Sequence, residues 1–107
     1  MKKAKHLFVI STMEYAESEL RKGKLVARHH RTPGIFLDLK NAQTAIIENA
    51  CGIQDCSYNY AVIEEIQEGI YPFPIKEYWF KWSRKERKYK PCNKPAALRN
   101  IICFGIG

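Results

Sequence analysis

The chain has 107 residues, with 18 Lys or Arg against 11 Asp or Glu, which gives a net charge of +7 at pH 7. This length fits one domain, and a hydrophobic content of 46% supports one core without metal or disulfide bonds. No apolar run approaches the roughly 20 residues of a membrane-spanning helix. The run LFVI after the basic start is also too short for a signal peptide. We therefore expect a cytoplasmic protein that has no membrane partner and favours anionic partners.

The first predicted elements are extended. Residues 6–12 indicate a strand buried on both sides, because apolar residues occupy both of its faces. Residues 13–24 are rich in charge and predict no more than one helical turn, which ends at Gly23. Residues 25–37 predict a second extended segment that breaks or bulges at RTPG, since Pro33 cannot donate a backbone hydrogen bond within a central strand.

Residues 39–50, LKNAQTAIIENA, carry the clearest helical pattern in the chain. Asp38 precedes them as a suitable N-cap, and Gly52 follows as the stop. The apolar residues at helical spacing are Leu39, Ala42, Ala45 and Ile46. We expect this helix to cover a sheet with that face and to supply no ligand-binding residue.

The second half of the chain again favours strands. Residues 57–66, SYNYAVIEEI, alternate so that one side carries Tyr58, Tyr60 and Val62 and the other carries Asn59, Ala61 and Ile63. Residues 71–75 contain two prolines and predict an extended linker. Residues 77–82 alternate as a half-buried strand, with the polar turn SRKER and the return strand KYKPC after them. Residues 93–100 predict a capped helical turn, and residues 101–104 a closing strand.

These elements predict an α+β fold in a single domain, residues 1–107. We expect a mostly antiparallel sheet of five or six strands with one main helix packed on one face. Residues 1–70 would form a β-β-α-β core. Residues 71–107 would add the hairpin, the short helix and the closing strand.

Two stretches, RTPGIFLDLKNAQTAIIENA and YAVIEEIQEGIYP, resemble a family of small proteins of unknown function from Firmicutes and their phages, which have a β-β-α-β core. The matching positions are Gly34, Phe36, Ala42, Ala45, Tyr60, Val62, Ile63, Glu64 and Gly69. Most are packing residues, so the resemblance implies a fold more than an activity. The phage context implies a role in host takeover or in counteracting host defence.

The stretch EYWFKWSRKERKYKPC, residues 77–92, combines aromatic rings with a dense group of cations. On the predicted strand, Trp79 and Lys81 share one face while Trp82 lies on the other. One face must meet the core, and the other would present a Trp beside cations, suited to stacking a base and neutralising a phosphate. The ligand-binding candidates of this stretch are Trp79, Lys81, Trp82, Arg84 and Arg87. The alternative is a solvated hairpin tip.

A second basic cluster, ARHHR, occupies residues 27–31. Arg28 and His30 share one face of the predicted strand and Arg31 the other, so they could hold a phosphate. The alternative is a row of exposed edge-strand charges that prevents aggregation. Arg99, in AALRN, could add a polar wall to the same pocket.

The sequence predicts no metal and no cofactor. Cys51, Cys56, Cys92 and Cys103 lack the close pairs of a structural zinc site, and an intracellular chain keeps its thiols reduced. Gly-rich phosphate loops and catalytic motifs are also absent from the sequence.

We therefore expect a non-catalytic protein that sequesters an anionic, nucleotide-like ligand, with phage-encoded anti-defence as the role implied by the resemblance. A symmetric oligomer would be compatible with this role, because subunit interfaces can form pockets. One alternative is a nucleic-acid-binding module. Others are a small basic ribonuclease that uses His29 or His30 with Arg28, and a protein inhibitor of a host enzyme.

Overall fold

Five strands form one antiparallel sheet in the computed structural model of the chain, which describes residues 6–16, 18, 21–23, 27–55, 57–69, 74–99, 101 and 104. The strands are β1 (His6–Tyr15), β2 (Ala27–Phe36), β3 (Tyr60–Gln67), β4 (Lys76–Ser83) and β5 (Lys88–Cys92). Their order across the sheet is β2-β1-β3-β4-β5, and helix α1 (Leu39–Ile47) packs on one face. The predicted α+β class is therefore confirmed.

Strand β1 is longer than predicted. Met13 and Tyr15 continue the strand and are buried, so residues 13–15 are not part of the expected helical turn. That turn comes later, where Ser18 and Arg21 are helical and a turn follows at Lys22 and Gly23. Met13 pairs with Tyr60 of β3 on one side and with His30 of β2 on the other. The burial of Met13 and Tyr15 on this central strand thus decides the conformation of residues 13–15.

The predicted irregularity at RTPG is a β-bulge in the edge strand β2. Ile10 pairs with Gly34 and Thr12 pairs with Arg31, so two residues of β2 oppose the single residue Ser11 of β1. Pro33 is one of the two. A proline fits here because an edge strand with a bulge does not need its missing N–H group.

Helix α1 begins as predicted and ends earlier. The side chain of Asp38 caps it by accepting a hydrogen bond from the Lys40 backbone N–H at 2.7 Å. The helix ends at Ile47, because Asn49 takes the left-handed conformation (φ 49°) that commonly terminates helices. Gly52 instead belongs to the following 3-10 turn, Ala50–Gly52. No helix within the described part of the chain is long and apolar enough to cross a membrane.

Replacing the cap residue should cost a measurable part of the stability. We expect Asp38→Ala to lower the free energy of unfolding by about 1 kcal/mol, because the Lys40 N–H loses its acceptor. Urea unfolding measures the change. Asn41→Ala is the control, since Asn41 is exposed in the same helix and should cost nothing. Equal unfolding midpoints for Asp38→Ala and wild type would contradict the cap.

The face of the sheet opposite α1 is covered by residues of the C-terminal segment. Phe104 packs edge-on against Trp79, with 5.2 Å between the ring centroids. Its backbone N–H donates to both carboxylate oxygens of Glu64, at 3.1 Å each, and Glu64 is only 2% exposed. Lys94 holds the same segment by donating to the Ile101 carbonyl at 2.6 Å. The sheet is therefore buried on both faces.

The closing strand predicted for residues 101–104 is wrong where it can be checked. Ile101 and Phe104 lie outside any strand, and residues 102–103 fall outside the described part of the chain. The predicted helical turn near residue 96 is present as a 3-10 turn, Ala96–Leu98, without a side-chain cap. Apolar residues after this turn pack across the sheet instead of extending it.

Candidate anion-binding cleft

A tight turn joins β4 and β5 at one end of the sheet, as predicted. Ser83 and Lys88 form the last pair, and residues 84–87 make the turn. The Arg87 N–H donates to the Ser83 carbonyl at 2.7 Å, and the Glu86 N–H to the Ser83 hydroxyl at 3.2 Å. These two hydrogen bonds hold the turn, which carries several cations, in a single conformation.

A cleft of about 800 Å³ lies between this hairpin and the loop that precedes β3. The described residues that line it are Gln54, Ser57, Asn59, Lys81, Trp82, Arg84 and Arg87. The structure therefore brings the predicted residues Lys81, Trp82, Arg84 and Arg87 together around one space.

The described lining of the cleft is positively charged, since it contains three cations and no carboxylate. The carboxylate of Glu86, in the same turn, forms salt bridges with the ammonium groups of Lys90 at 2.7 Å and Lys88 at 3.9 Å. The hydrogen bond from Lys90 lowers the pKa of Glu86. Arg84 and Arg87 form no salt bridge with any described carboxylate, so their charge is available to a ligand.

Asn59 fixes the floor of the cleft by joining three strands. Its side chain accepts from the Tyr15 N–H at 3.0 Å and donates to the Tyr15 carbonyl at 2.7 Å. Its own carbonyl accepts from the Trp82 N–H at 2.9 Å. The ends of β1, β3 and β4 are thereby held together, which is the rigid support that a binding site needs.

Trp82 is half-buried and held by a buried neighbour. Its indole meets the Tyr89 ring edge-on, with 5.1 Å between centroids. The Tyr89 hydroxyl donates to the Tyr58 carbonyl at 2.7 Å, and burial raises the pKa of that hydroxyl far above its ordinary value. The Trp82 ring is thus fixed on one side while it lines the cleft on the other.

Trp79, the other tryptophan among the ligand-binding candidates, lies in the core and not in the cleft. Trp79 is 5% exposed and lies between Tyr60 and Phe104. Its indole N–H donates to Glu77 at 2.9 Å. Strand alternation correctly separates Trp79 from Trp82, but both faces of β4 are covered, so Trp79 belongs to the core and Trp82 lines the cleft.

The second basic cluster does not complete this cleft. Arg31 contacts Asp55 at 3.6 Å and lies 5.5 Å from the centre of the Tyr58 ring, outside the lining. His30 is exposed on β2, and the side chain of Arg28 falls outside what the structure describes. Arg99 is exposed after the 3-10 turn and is not part of the lining.

Three polar lining residues were not predicted: Gln54, Ser57 and Asn59. The sequence gives little indication of a binding role for them. Asn59, for example, lies between two tyrosines and simply fits the alternation of the predicted strand. Only the pairing of β3 with β4 brings them opposite the hairpin.

The side chains that could act in acid–base or metal chemistry are scattered. Among the described histidines, His6 is the one that meets a carboxylate, Glu65, at 2.8 Å, while His30 has no such contact. No group of three or more His, Cys, Asp or Glu in the described residues could hold a metal ion. Cys51 is exposed and Cys92 half-buried; Cys56 and Cys103 lie outside the described residues.

Comparisons with protein-family models, with curated proteins and with solved structures find no match.

Proposed function

We propose that this protein binds an anionic, nucleotide-like ligand in the cleft beside the β4–β5 hairpin and holds it without chemical conversion. One observation carries the proposal: Lys81, Arg84 and Arg87 surround a space that is also lined by the indole of Trp82. Cations neutralise phosphates, and an indole stacks on a base.

The size and rigidity of the cleft support the proposal. A volume of about 800 Å³ lies within the range of small-molecule pockets, about 300–1,000 Å³. Asn59 and Tyr89 fix the floor and the ring through short hydrogen bonds. A site held in this way loses little conformational entropy on binding.

Sequestration is the mechanism that needs the fewest functional side chains. It requires affinity and no general base, which suits a cleft whose described lining contains neither His nor a carboxylate. The proposal retains the phage-encoded, anti-defence role and the cytoplasmic location expected from the sequence.

Calorimetric titration of the protein against a panel of nucleotides tests the proposal. We expect a phosphate-bearing nucleotide to bind and Arg87→Ala to weaken it by about 1.5–3 kcal/mol, because a charge-assisted hydrogen bond is lost. Lys85→Ala is the matched control, since Lys85 lies in the same turn but not in the lining. If Arg87→Ala and Lys85→Ala changed the nucleotide affinity equally, the ligand would lie outside this cleft.

The same titration separates the rival functions. A nucleic-acid module would bind long oligonucleotides with an affinity that falls steeply with salt, because many counterions are released. A ribonuclease would turn over RNA and lose activity in His30→Ala. Wild-type protein that binds no nucleotide and no oligonucleotide would contradict the proposal and favour a protein-contact surface.

A further inference from the structure

A second cleft, of about 440 Å³, adjoins the first at the same end of the sheet. The described residues that line it are Glu14, Tyr15, Ala16, Ser18, Arg21, Ser57, Asn59 and Arg84. Ser57, Asn59 and Arg84 line both clefts, so these residues form their common boundary. The two spaces are therefore neighbouring parts of one longer groove.

The chemistry of the second cleft differs from that of the first. Arg21 adds a cation that has no salt bridge with a described carboxylate. Ser18 adds a hydroxyl of the kind that forms hydrogen bonds with sugar hydroxyls or base amino groups, and Glu14 adds a negative charge to the lining. This mixture suits a nucleoside with one phosphate better than a chain of phosphates.

We propose that the two clefts together hold one ligand built from two nucleotide units, with Arg84 on the phosphate that joins them. This proposal rests on the proposed function and specifies its ligand class. A guanidinium at the boundary can form bidentate hydrogen bonds to a single phosphate. Arg87 and Lys81 then face one unit, and Arg21 faces the other.

The boundary is rigid enough to set the distance between the two units. The side chain of Asn59 forms two hydrogen bonds to the backbone of Tyr15, at 3.0 and 2.7 Å, so the wall shared by the clefts cannot separate without breaking both. A fixed spacing favours ligands whose two units are joined by a short linkage over ligands that carry one unit.

The test compares the linear dinucleotide pApA with AMP and with ADP, which adds a phosphate without a second nucleoside. Wild-type protein should bind pApA more tightly than either. Arg21→Ala should weaken pApA roughly tenfold to a hundredfold and leave AMP and ADP unchanged. Arg87→Ala should weaken all three. Lys22→Ala, next to Arg21 and outside both linings, is the control.

The outcomes separate this inference from the proposed function. If pApA binds no better than AMP, or if Arg21→Ala weakens the binding of all three ligands equally, the inference of a two-unit ligand is wrong. The proposed binding site is then the first cleft alone. If no nucleotide binds, the proposed function fails as well. If a longer single-stranded oligonucleotide binds far more tightly with a steep salt dependence, the groove follows a nucleic-acid backbone and the inference is overturned.

Discussion

Ala42→Asp is expected to lower the free energy of unfolding by about 3–5 kcal/mol, the cost of leaving a buried charge without a partner. Ala42 is 0% exposed and packs with Ile46 against the sheet. A carboxylate there would lose its water and find only apolar neighbours. Since small domains are stable by about 5–15 kcal/mol in total, the variant should be largely destabilised. Urea unfolding followed by circular dichroism measures the loss.

Two other positions of the same helix provide the comparison. Thr44→Asp adds the same charge on the exposed side and should change stability little. Ala45→Asp should fall between the two, because Ala45 is only partly buried against the core. An Ala42→Asp protein as stable as Thr44→Asp would contradict the packing of α1 on the sheet.

The double variant Trp82→Ala with Arg84→Ala is expected to weaken nucleotide binding by about 2.5–6 kcal/mol. Stacking on an aromatic ring contributes about 1–3 kcal/mol and a charge-assisted hydrogen bond about 1.5–3. If the effects add, affinity falls about seventy-fold to more than ten-thousand-fold. Both residues line the first cleft, and Arg84 also lines the second. Calorimetric titration at fixed salt measures the change.

Controls must separate lost binding from lost folding, because Trp82 also contacts Tyr89. The circular dichroism spectrum of the double variant should match that of the wild-type protein. Trp82→Phe keeps an aromatic face and should retain most of the affinity. Trp79→Ala should instead reduce stability by about 3–5 kcal/mol, as buried tryptophans do. If the folded double variant binds as tightly as wild type, the ligand does not lie in this cleft.

Most of the sheet could be predicted because its signals are local. Alternating apolar residues mark β3 and β4, Asp38 marks the start of α1, and Pro33 marks the bulge. The C-terminal segment could not be predicted in the same way. Its position depends on the contact of Phe104 with Trp79 and on the bond to Glu64, which is 40 residues distant in sequence.

The candidate site was predictable only where it is contiguous in sequence. Lys81, Trp82, Arg84 and Arg87 belong to one hairpin, so their charge pattern indicates a common surface. Alternation separates Trp79 from Trp82 but does not say which face of a strand is covered, and that is why both tryptophans were ligand-binding candidates. The residues of the opposite wall join the cleft only through strand pairing.

A two-dimensional NMR titration of the labelled protein with pApA tests the binding site most directly. The backbone amides of Ser57, Asn59 and Arg84 and the indole N–H of Trp82 should shift together and saturate at one ligand per groove. Signals of α1 and of the buried Trp79 indole should stay in place, since they lie away from the cleft linings. An unchanged spectrum, or shifts confined to other surfaces, would contradict the assignment of this groove as a nucleotide-binding site.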